Sequence, residues 1–239
     1  TWASFFDKTF LFLGVTLLLA GIVFFFAYNW SSLGRFSRFA LLELGIVLAL
    51  GFAWFRGLET LSAKASLLAG AFLIGPFLAV FGQTYQTGAD AYMLFLAWTA
   101  LSLPLVVSSC FAPAWFFLLV LMNVTLPLFL LQEVGIKGEW TLLCFWIFVS
   151  NAVAMAIWEI AQKWFSYLST PGRWVPRLLF AYALGALSLI MLRDMYSLFS
   201  LLYFATIGVT IFLYQLRKTD LFILTTLALS FIVVSTFYV

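Results

Sequence analysis

Long apolar stretches, separated by short clusters of charge, run through almost the whole chain and limit its fold more than any motif does. Each stretch has about 17 to 20 mostly apolar residues, the length that a helix needs to cross a hydrocarbon core of roughly 30 Å. Hydrophobic residues make up 65% of the 239 residues and charged residues 9%, too few to give a water-soluble domain a polar surface. The runs do not alternate with period two, which argues against an outer-membrane barrel. The chain is therefore predicted to be an all-α, polytopic transmembrane helical bundle.

Nine spans are predicted from the limits of the apolar runs. They are Phe10–Tyr28, Phe39–Phe55, Ala65–Phe81, Tyr92–Cys110, Pro113–Leu131, Trp140–Trp158, Trp174–Leu192, Ser197–Leu216 and Leu221–Tyr238. Because the loops between them are short, we interpret residues 1–239 as a single transmembrane helical domain. The chain begins with Thr1 rather than Met, and we expect that further residues precede it in the full-length protein.

The distribution of basic residues predicts the orientation in the membrane. With nine spans, eight of the 12 Lys and Arg residues lie on the side of the N-terminus and four lie on the other side. Since cytoplasmic loops carry the excess of Lys and Arg, the N-terminus is predicted to be cytoplasmic. The segment between the third and fourth spans, which has no basic residue, then faces outward.

Several classes of chemistry are disfavoured by residue counts. The chain has no histidine and only two cysteines, which leaves few ligands for zinc or haem, and we predict no metal and no cofactor. A net charge of +3 gives no reason to expect a nucleic-acid partner. No nucleophile motif or phosphate-binding glycine loop is present, so no catalytic residue is predicted.

Two pairs of residues give simple structural expectations. Cys110 and Cys144 fall at different depths in the predicted spans, so they should not form a disulfide with each other. Glu159 and Lys163 are four residues apart at the end of the sixth span, a spacing that predicts a surface ion pair.

The most unusual polar passage is AVFGQTYQTGADAYMLFLAW, residues 79–98, between the third and fourth spans. Gln83 and Gln86 offer amides and Tyr85 offers a ring with a hydroxyl, groups that suit a sugar, a lipid headgroup or a peptide edge. Asp90 precedes an apolar run and follows Gly88 by two residues, which is typical of a helix N-cap. Capping and ligand contact by Asp90 do not exclude each other.

A carboxylate about one turn inside the second span, Glu43, is predicted on the same outward side. At the centre of a span a charge costs about 2.5 kcal/mol or more, so Glu43 should face the bundle interior or a watery cavity. There it could handle a proton, a cation or a headgroup, or it could join two helices. The hypothetical ligand-binding set consists of Asn29, Trp30, Glu43, Gln83, Tyr85, Gln86 and Asp90.

Prolines and amides inside the spans leave two interpretations open. Pro76, Pro104 and Pro127 each remove a backbone donor and predict a kink or a break in the third, fourth and fifth spans. A broken helix is typical of transporter binding sites, whereas a kink can also be a packing feature. Asn123 and Asn151 either join helices or line a pathway.

Two strings of the first half resemble a bacterial family of predicted membrane proteins catalogued as domain of unknown function 2157. They are FAYNW, residues 26–30, and GQTYQTGADAYMLFLAW, residues 82–98. The resemblance covers roughly the first four spans. It implies a bacterial inner-membrane location, a short soluble segment ahead of the first span, and no established activity.

Three functions are therefore considered for this chain. The first is non-enzymatic binding or transport of a small polar or lipid-linked ligand at the outward polar site, with membrane lipids as partners. The second is an accessory or structural subunit that binds another membrane protein. The third is a membrane-embedded transferase that uses Glu43 and Asp90.

Overall fold

The computed structural model describes residues 2–29, 33–136, 138–168, 173–193, 198–217 and 220–238. These residues are almost entirely helical, and no strand occurs among them. The helices are α1 Trp2–Asn29, α2 Arg35–Arg56, α3 Leu61–Tyr85, α4 Ala91–Ser109, α5 Ala112–Gln132, α6 Trp140–Trp164, α7 Trp174–Arg193, α8 Phe199–Arg217 and α9 Leu221–Phe237. The predicted all-α class is confirmed.

Seven helices in the described part of the chain, α1 to α7, are long and apolar enough to cross a membrane. The apolar stretches Phe199–Tyr214 and Leu221–Phe237 in α8 and α9 are shorter. Many large apolar side chains on these helices are exposed, among them Phe24, Phe55 and Leu201. In a membrane protein such side chains face lipid, so the exposed apolar surface agrees with a transmembrane bundle. The cytoplasmic position of the N-terminus stays a prediction.

The helices extend beyond the predicted spans where polar residues continue them. Helix α2 begins at Arg35 rather than Phe39, and α6 ends at Trp164 rather than Trp158. The hydrogen bonds of a helix can continue beyond the hydrocarbon core, whereas the charge pattern marks only the ends of the apolar run. Helix α3 continues through Pro76 and α4 through Pro104, so the alternative of a broken helix is wrong at these two prolines.

The chain divides into two compact units, Thr1–Thr125 and Leu126–Val239. The interpretation as a single domain stays a prediction, and each unit is described by itself. Within the first unit, α3 packs against α1, α2 and α4. Small residues make this central position possible, because Ala63, Gly70, Ala71 and Gly75 are buried and let neighbouring backbones come close.

Gly75 of α3 lies directly against Trp98 of α4. A Cβ atom on Gly75 would lie 2.4 Å from two ring carbons of Trp98. The indole N–H of Trp98 donates a hydrogen bond of 2.7 Å to the Ala71 carbonyl, and the Ser102 hydroxyl donates one of 3.3 Å to the same oxygen. Trp98 therefore fixes how α3 and α4 are aligned.

The second unit is built around α7, which packs against α6, α8 and α9. Three hydroxyls connect its helices: Ser188 and Ser230 are 2.7 Å apart, and Tyr203 is 2.8 Å from Ser230. Tyr203 is fully buried and Ser188 also donates to the Leu184 carbonyl. Because hydrocarbon offers no alternative partner, this chain of hydroxyls favours one alignment of α7, α8 and α9.

Replacing Gly75 by Ala should destabilise the first unit, since the new methyl group would overlap the ring of Trp98. Overpacking of this kind costs about 1–3 kcal/mol. We expect thermal unfolding in detergent, followed by circular dichroism, to begin several degrees lower. Gly51→Ala is the matched control, because no atom lies within 4 Å of a Cβ placed there. Equal unfolding temperatures for the two variants would contradict the described α3 and α4 packing.

Candidate functional site

The turn between α3 and α4 forms from residues with unusual backbone angles. Gln86 ends α3 in the left-handed region, with φ of 46°, and its amide donates to the Gly82 carbonyl. The amide of Thr87 donates to the same oxygen at 3.3 Å, and Gly88 has a φ of 65° that glycine tolerates best. Asp90 is the N-cap residue of α4. The predicted turn and the position of the predicted cap are both confirmed.

A groove of about 470 Å³ lies between the last turns of α3 and the first turns of α4. Its polar lining residues are Gln83, Thr87 and Asp90. The other lining residues are apolar or glycine, namely Leu78, Ala79, Phe81, Gly82, Gly88, Ala89, Ala91, Met93, Leu94 and Ala97. This α3–α4 groove therefore has a polar part at the turn and an apolar part along the helices, and its lining includes no basic side chain.

The side chains of Gln83 and Asp90 in the α3–α4 groove are not used by the fold. Although Asp90 occupies the N-cap position, its side chain accepts no capping hydrogen bond, so the expected capping bond is wrong. Neither the Gln83 amide nor the Asp90 carboxylate has a side-chain partner among the described residues, and both residues are exposed. Their hydrogen-bonding groups are free to bind a ligand.

Tyr85 and Gln86 lie outside the lining of this groove. The ring of Tyr85 packs against Phe81, with centroids 4.8 Å apart, and against Phe39 at 6.1 Å. These contacts join the end of α3 to α2, which gives Tyr85 a structural role. Gln86 is exposed at the turn.

Glu43 is exposed, and the expectation that it faces the interior of the bundle is wrong. Helix α2 buries Leu42 and Ala53 against its neighbours, and Glu43 lies about 100° round the helix axis from Leu42. Glu43 makes no hydrogen bond or ion pair within the described part of the chain. It does not line the α3–α4 groove, so a single cavity that joins Glu43 to Gln83 and Asp90 is not present there.

Asn29 and Trp30 complete the predicted set. Asn29 is the last residue of α1, but its side chain lies outside the described residues, as does all of Trp30. The structure therefore brings together Gln83 and Asp90 and adds Thr87, which the sequence analysis did not single out. Ligand binding by any member of the set stays a prediction.

Residues 3–115 match the model of a family described as "Predicted membrane protein (DUF2157)". This segment, a little under half of the chain, is what is similar to the family. The DUF2157 segment contains α1 from its second residue, helices α2 to α4, both strings that carry the resemblance, and the whole α3–α4 groove. No curated protein and no solved structure is detectably similar to the chain.

Beyond the DUF2157 segment, the second unit holds an ion-pair network that sequence analysis missed. Arg177 donates from Nε to both carboxylate oxygens of Asp220, each at 3.1 Å. Arg173 lies 3.8 Å from Asp220 and donates a hydrogen bond to Glu159. Glu159 also accepts from the Gln162 amide at 2.6 Å. Arg173, Arg177, Glu159 and Asp220 are balanced in charge, and they connect α6, α7 and the start of α9.

The cap made by Asp220 and the charge of Arg173 show how this network stabilises the second unit. Asp220 is buried, and it caps α9 by accepting from the Phe222 amide at 3.2 Å. Burial alone lowers the pKa of the Arg173 guanidinium, but hydrogen bonds and charge interactions with Glu159 and Tyr214 outweigh it and raise that pKa above its usual range. Arg173 therefore stays charged at any physiological pH. The expected pairing of Glu159 with Lys163 is replaced by the pair with Arg173.

No group of three His, Cys, Asp or Glu side chains that could hold a metal ion occurs in the described ranges. The expectation that the protein needs no metal or cofactor stays a prediction. Cys110 and Cys144 are both free thiols, as expected from their predicted depths.

Asp220→Asn should destabilise the second unit, because it removes the charge that holds Arg177 and leaves that guanidinium without its carboxylate partner. Loss of one partner from a buried charged pair costs about 2 kcal/mol or more. We expect a lower unfolding temperature in detergent, measured by circular dichroism. Asp90→Asn is the control, since Asp90 is exposed and makes no capping bond. Equal effects of the two substitutions would contradict the described network.

Proposed function

We propose that this chain is a bacterial inner-membrane protein that binds a lipid or lipid-linked ligand, without chemical conversion, in the α3–α4 groove. The observation that carries the proposal is the combination of free polar groups on Gln83 and Asp90 with an apolar wall in one groove. The groove lies where α3 ends and α4 begins, which is the membrane-surface end of two spans. A ligand there can keep its headgroup in the interface and its chain along the helices.

The lining chemistry limits the class of headgroup. Asp90 offers a carboxylate, Gln83 an amide and Thr87 a hydroxyl, whereas no lining residue is Lys or Arg. This set favours a headgroup that donates hydrogen bonds, such as an ammonium group or sugar hydroxyls, over an exposed phosphate. The volume of about 470 Å³ falls within the range of small-molecule sites.

Binding is favoured over catalysis by the titratable groups in the groove. Asp90 is the one titratable side chain of its lining. A transferase needs a positioned acid, base or nucleophile, and usually more than one of these groups acts together. Transport would require a route to the other side of the membrane, and the groove occupies only the adjoining ends of α3 and α4.

A second proposal is an accessory subunit of a membrane complex, and the exposed Glu43 of α2 supports it. Side chains that face lipid are normally apolar, because the hydrocarbon core offers no partner for a charge. A carboxylate on such a surface is therefore favourable only where another molecule meets it.

The outward side of the membrane is proposed from the excess of Lys and Arg on the side of the N-terminus. A single cysteine at Thr87, with Cys110 and Cys144 replaced by Ser, should react with a membrane-impermeant maleimide in intact spheroplasts. A cysteine at Leu58, in the exposed loop between α2 and α3, should react only after permeabilisation. The reverse labelling pattern would place the groove in the cytoplasm and exclude an outward site.

Ligand binding can be tested by native mass spectrometry of the purified protein in detergent. With phosphatidylethanolamine, monoglucosyl diacylglycerol and phosphatidylglycerol as probes, we expect one bound molecule of an amine- or sugar-bearing lipid in preference to phosphatidylglycerol. Loss of a hydrogen bond to a charged group lowers affinity by roughly tenfold or more, so Asp90→Asn and Gln83→Ala should both bind weakly.

Gln86→Ala is the matched control, because Gln86 has the same side chain three residues later and does not line the groove. It should bind like the unmodified chain. Equal lipid retention by Asp90→Asn, Gln83→Ala and the unmodified chain would refute the site.

A further inference from the structure

The carboxylate of Glu43 lies inside a membrane span. Helix α2 carries Arg35 and Arg38 in its first turns and Arg56 at its end, and these charges mark the membrane surfaces. At a rise of 1.5 Å per residue, Glu43 is about 7.5 Å from Arg38 and about 20 Å from Arg56 along the axis. Glu43 is therefore more than one turn inside the apolar part of α2.

The face of α2 that carries Glu43 is largely exposed, although Leu50 on the same side is partly buried against α3. Phe36, Ala40, Val47 and Trp54 stand at helical spacing from Glu43 and therefore lie on the same side of α2. Phe36 is 75% exposed, Val47 63% and Trp54 84%, and Ala40 and Glu43 are exposed as well. The packed side of α2, with Leu42 and Ala53, faces elsewhere. This Glu43 face is thus an apolar helix surface with one charge at its centre.

We propose that the Glu43 face binds a transmembrane helix of another protein that presents one Lys or Arg at the depth of Glu43. The inference rests on the second proposed function, the accessory subunit, and does not depend on the α3–α4 groove. A cation at the same depth is the chemical complement of a carboxylate in hydrocarbon, because each charge lacks any other partner there. The apolar residues above and below Glu43 supply the helix contact, and the ion pair sets its register.

A second copy of this chain fits the Glu43 face less well. Copies that share an orientation in the membrane would be related by a twofold axis perpendicular to it, which brings the two α2 helices together at equal depth. Two Glu43 carboxylates would then face each other, and like charges at close range disfavour the ionised form of both. A basic partner helix has no such conflict.

The partner class can be tested with a defined probe. The full chain, carrying a donor fluorophore at a cysteine introduced at Leu58, is reconstituted in phosphatidylcholine vesicles. Acceptor-labelled single-span peptides of Leu and Ala, with either one Lys or one further Leu at the centre, are added. We expect energy transfer to show about fivefold to tenfold tighter association with the Lys peptide than with the Leu peptide.

Three variants separate binding at the Glu43 face from a general attraction between the peptide and any carboxylate of the chain. Glu43→Gln should abolish the preference for the Lys peptide while the unfolding temperature and lipid binding in the α3–α4 groove are unchanged. The double variant Glu43→Leu, Leu48→Glu keeps the net charge but moves the carboxylate to another side of α2, and it should also lose the preference. Asp90→Asn, which removes a carboxylate at the membrane surface, should keep it.

The proposal is overturned if the unmodified chain does not distinguish the two peptides, or if the preference persists in Glu43→Gln. It is also overturned if two differently labelled copies of the chain associate with each other and this association is lost in Glu43→Gln, since that result identifies a second copy as the partner. If the unmodified chain binds no lipid but still prefers the Lys peptide to the Leu peptide, only the proposed ligand function is rejected.

Discussion

The absence of water from the hydrocarbon core is the constraint on which this structure depends. A backbone group without a partner is costly there, so every span is a helix that satisfies its own N–H and C=O groups. Hydroxyl side chains also find partners within their own helix. Thr99 donates to the carbonyl of Phe95 and Thr206 donates to the carbonyl of Leu202, each one turn earlier. Burial of apolar surface cannot drive helices together inside lipid. Close backbone approach and a few interhelical hydrogen bonds must do so, which explains why α3 and α7, the helices richest in buried small residues, are central to their units.

The same constraint determines what sequence analysis could predict. The nine α-helices of the described residues follow the predicted order, because hydrocarbon thickness sets apolar length and charge spacing, and seven of these helices are long and apolar enough to cross a membrane. Helix ends were less accurate, since the hydrogen bonds of α2 and α6 continue past the hydrocarbon limit into polar sequence. Breaks at Pro76 and Pro104 were not needed, because a helix can lose one backbone donor when its neighbours hold it in place. The turn after Gly82 was predictable because Gly88 and Asp90 have local preferences that distant residues do not change.

The side-chain surroundings were much harder to predict. The direction of Glu43 depends on which side of α2 packs against α3, and two neighbouring residues of a helix differ by about 100°. An almost wholly apolar helix has no clear polar side in its sequence, so the spacing of residues could not decide between Glu43 and Leu42. The network of Glu159, Arg173 and Asp220 joins residues that are up to 61 positions apart in the sequence. Only the tertiary arrangement of α6, α7 and α9 brings these residues together.

Depth in the membrane favours different uses for the carboxylates of Asp90 and Glu43. Asp90 lies at the end of a span, where water and headgroups can replace a ligand, so it can release and rebind one freely. Glu43 lies more than one turn inside a span, where a charge without a partner is costly, so reversible exchange of a small ligand would repeatedly expose that charge to hydrocarbon. A persistent helix–helix contact avoids this cost. The same side-chain chemistry therefore favours a ligand site at Asp90 and a stable protein interface at Glu43.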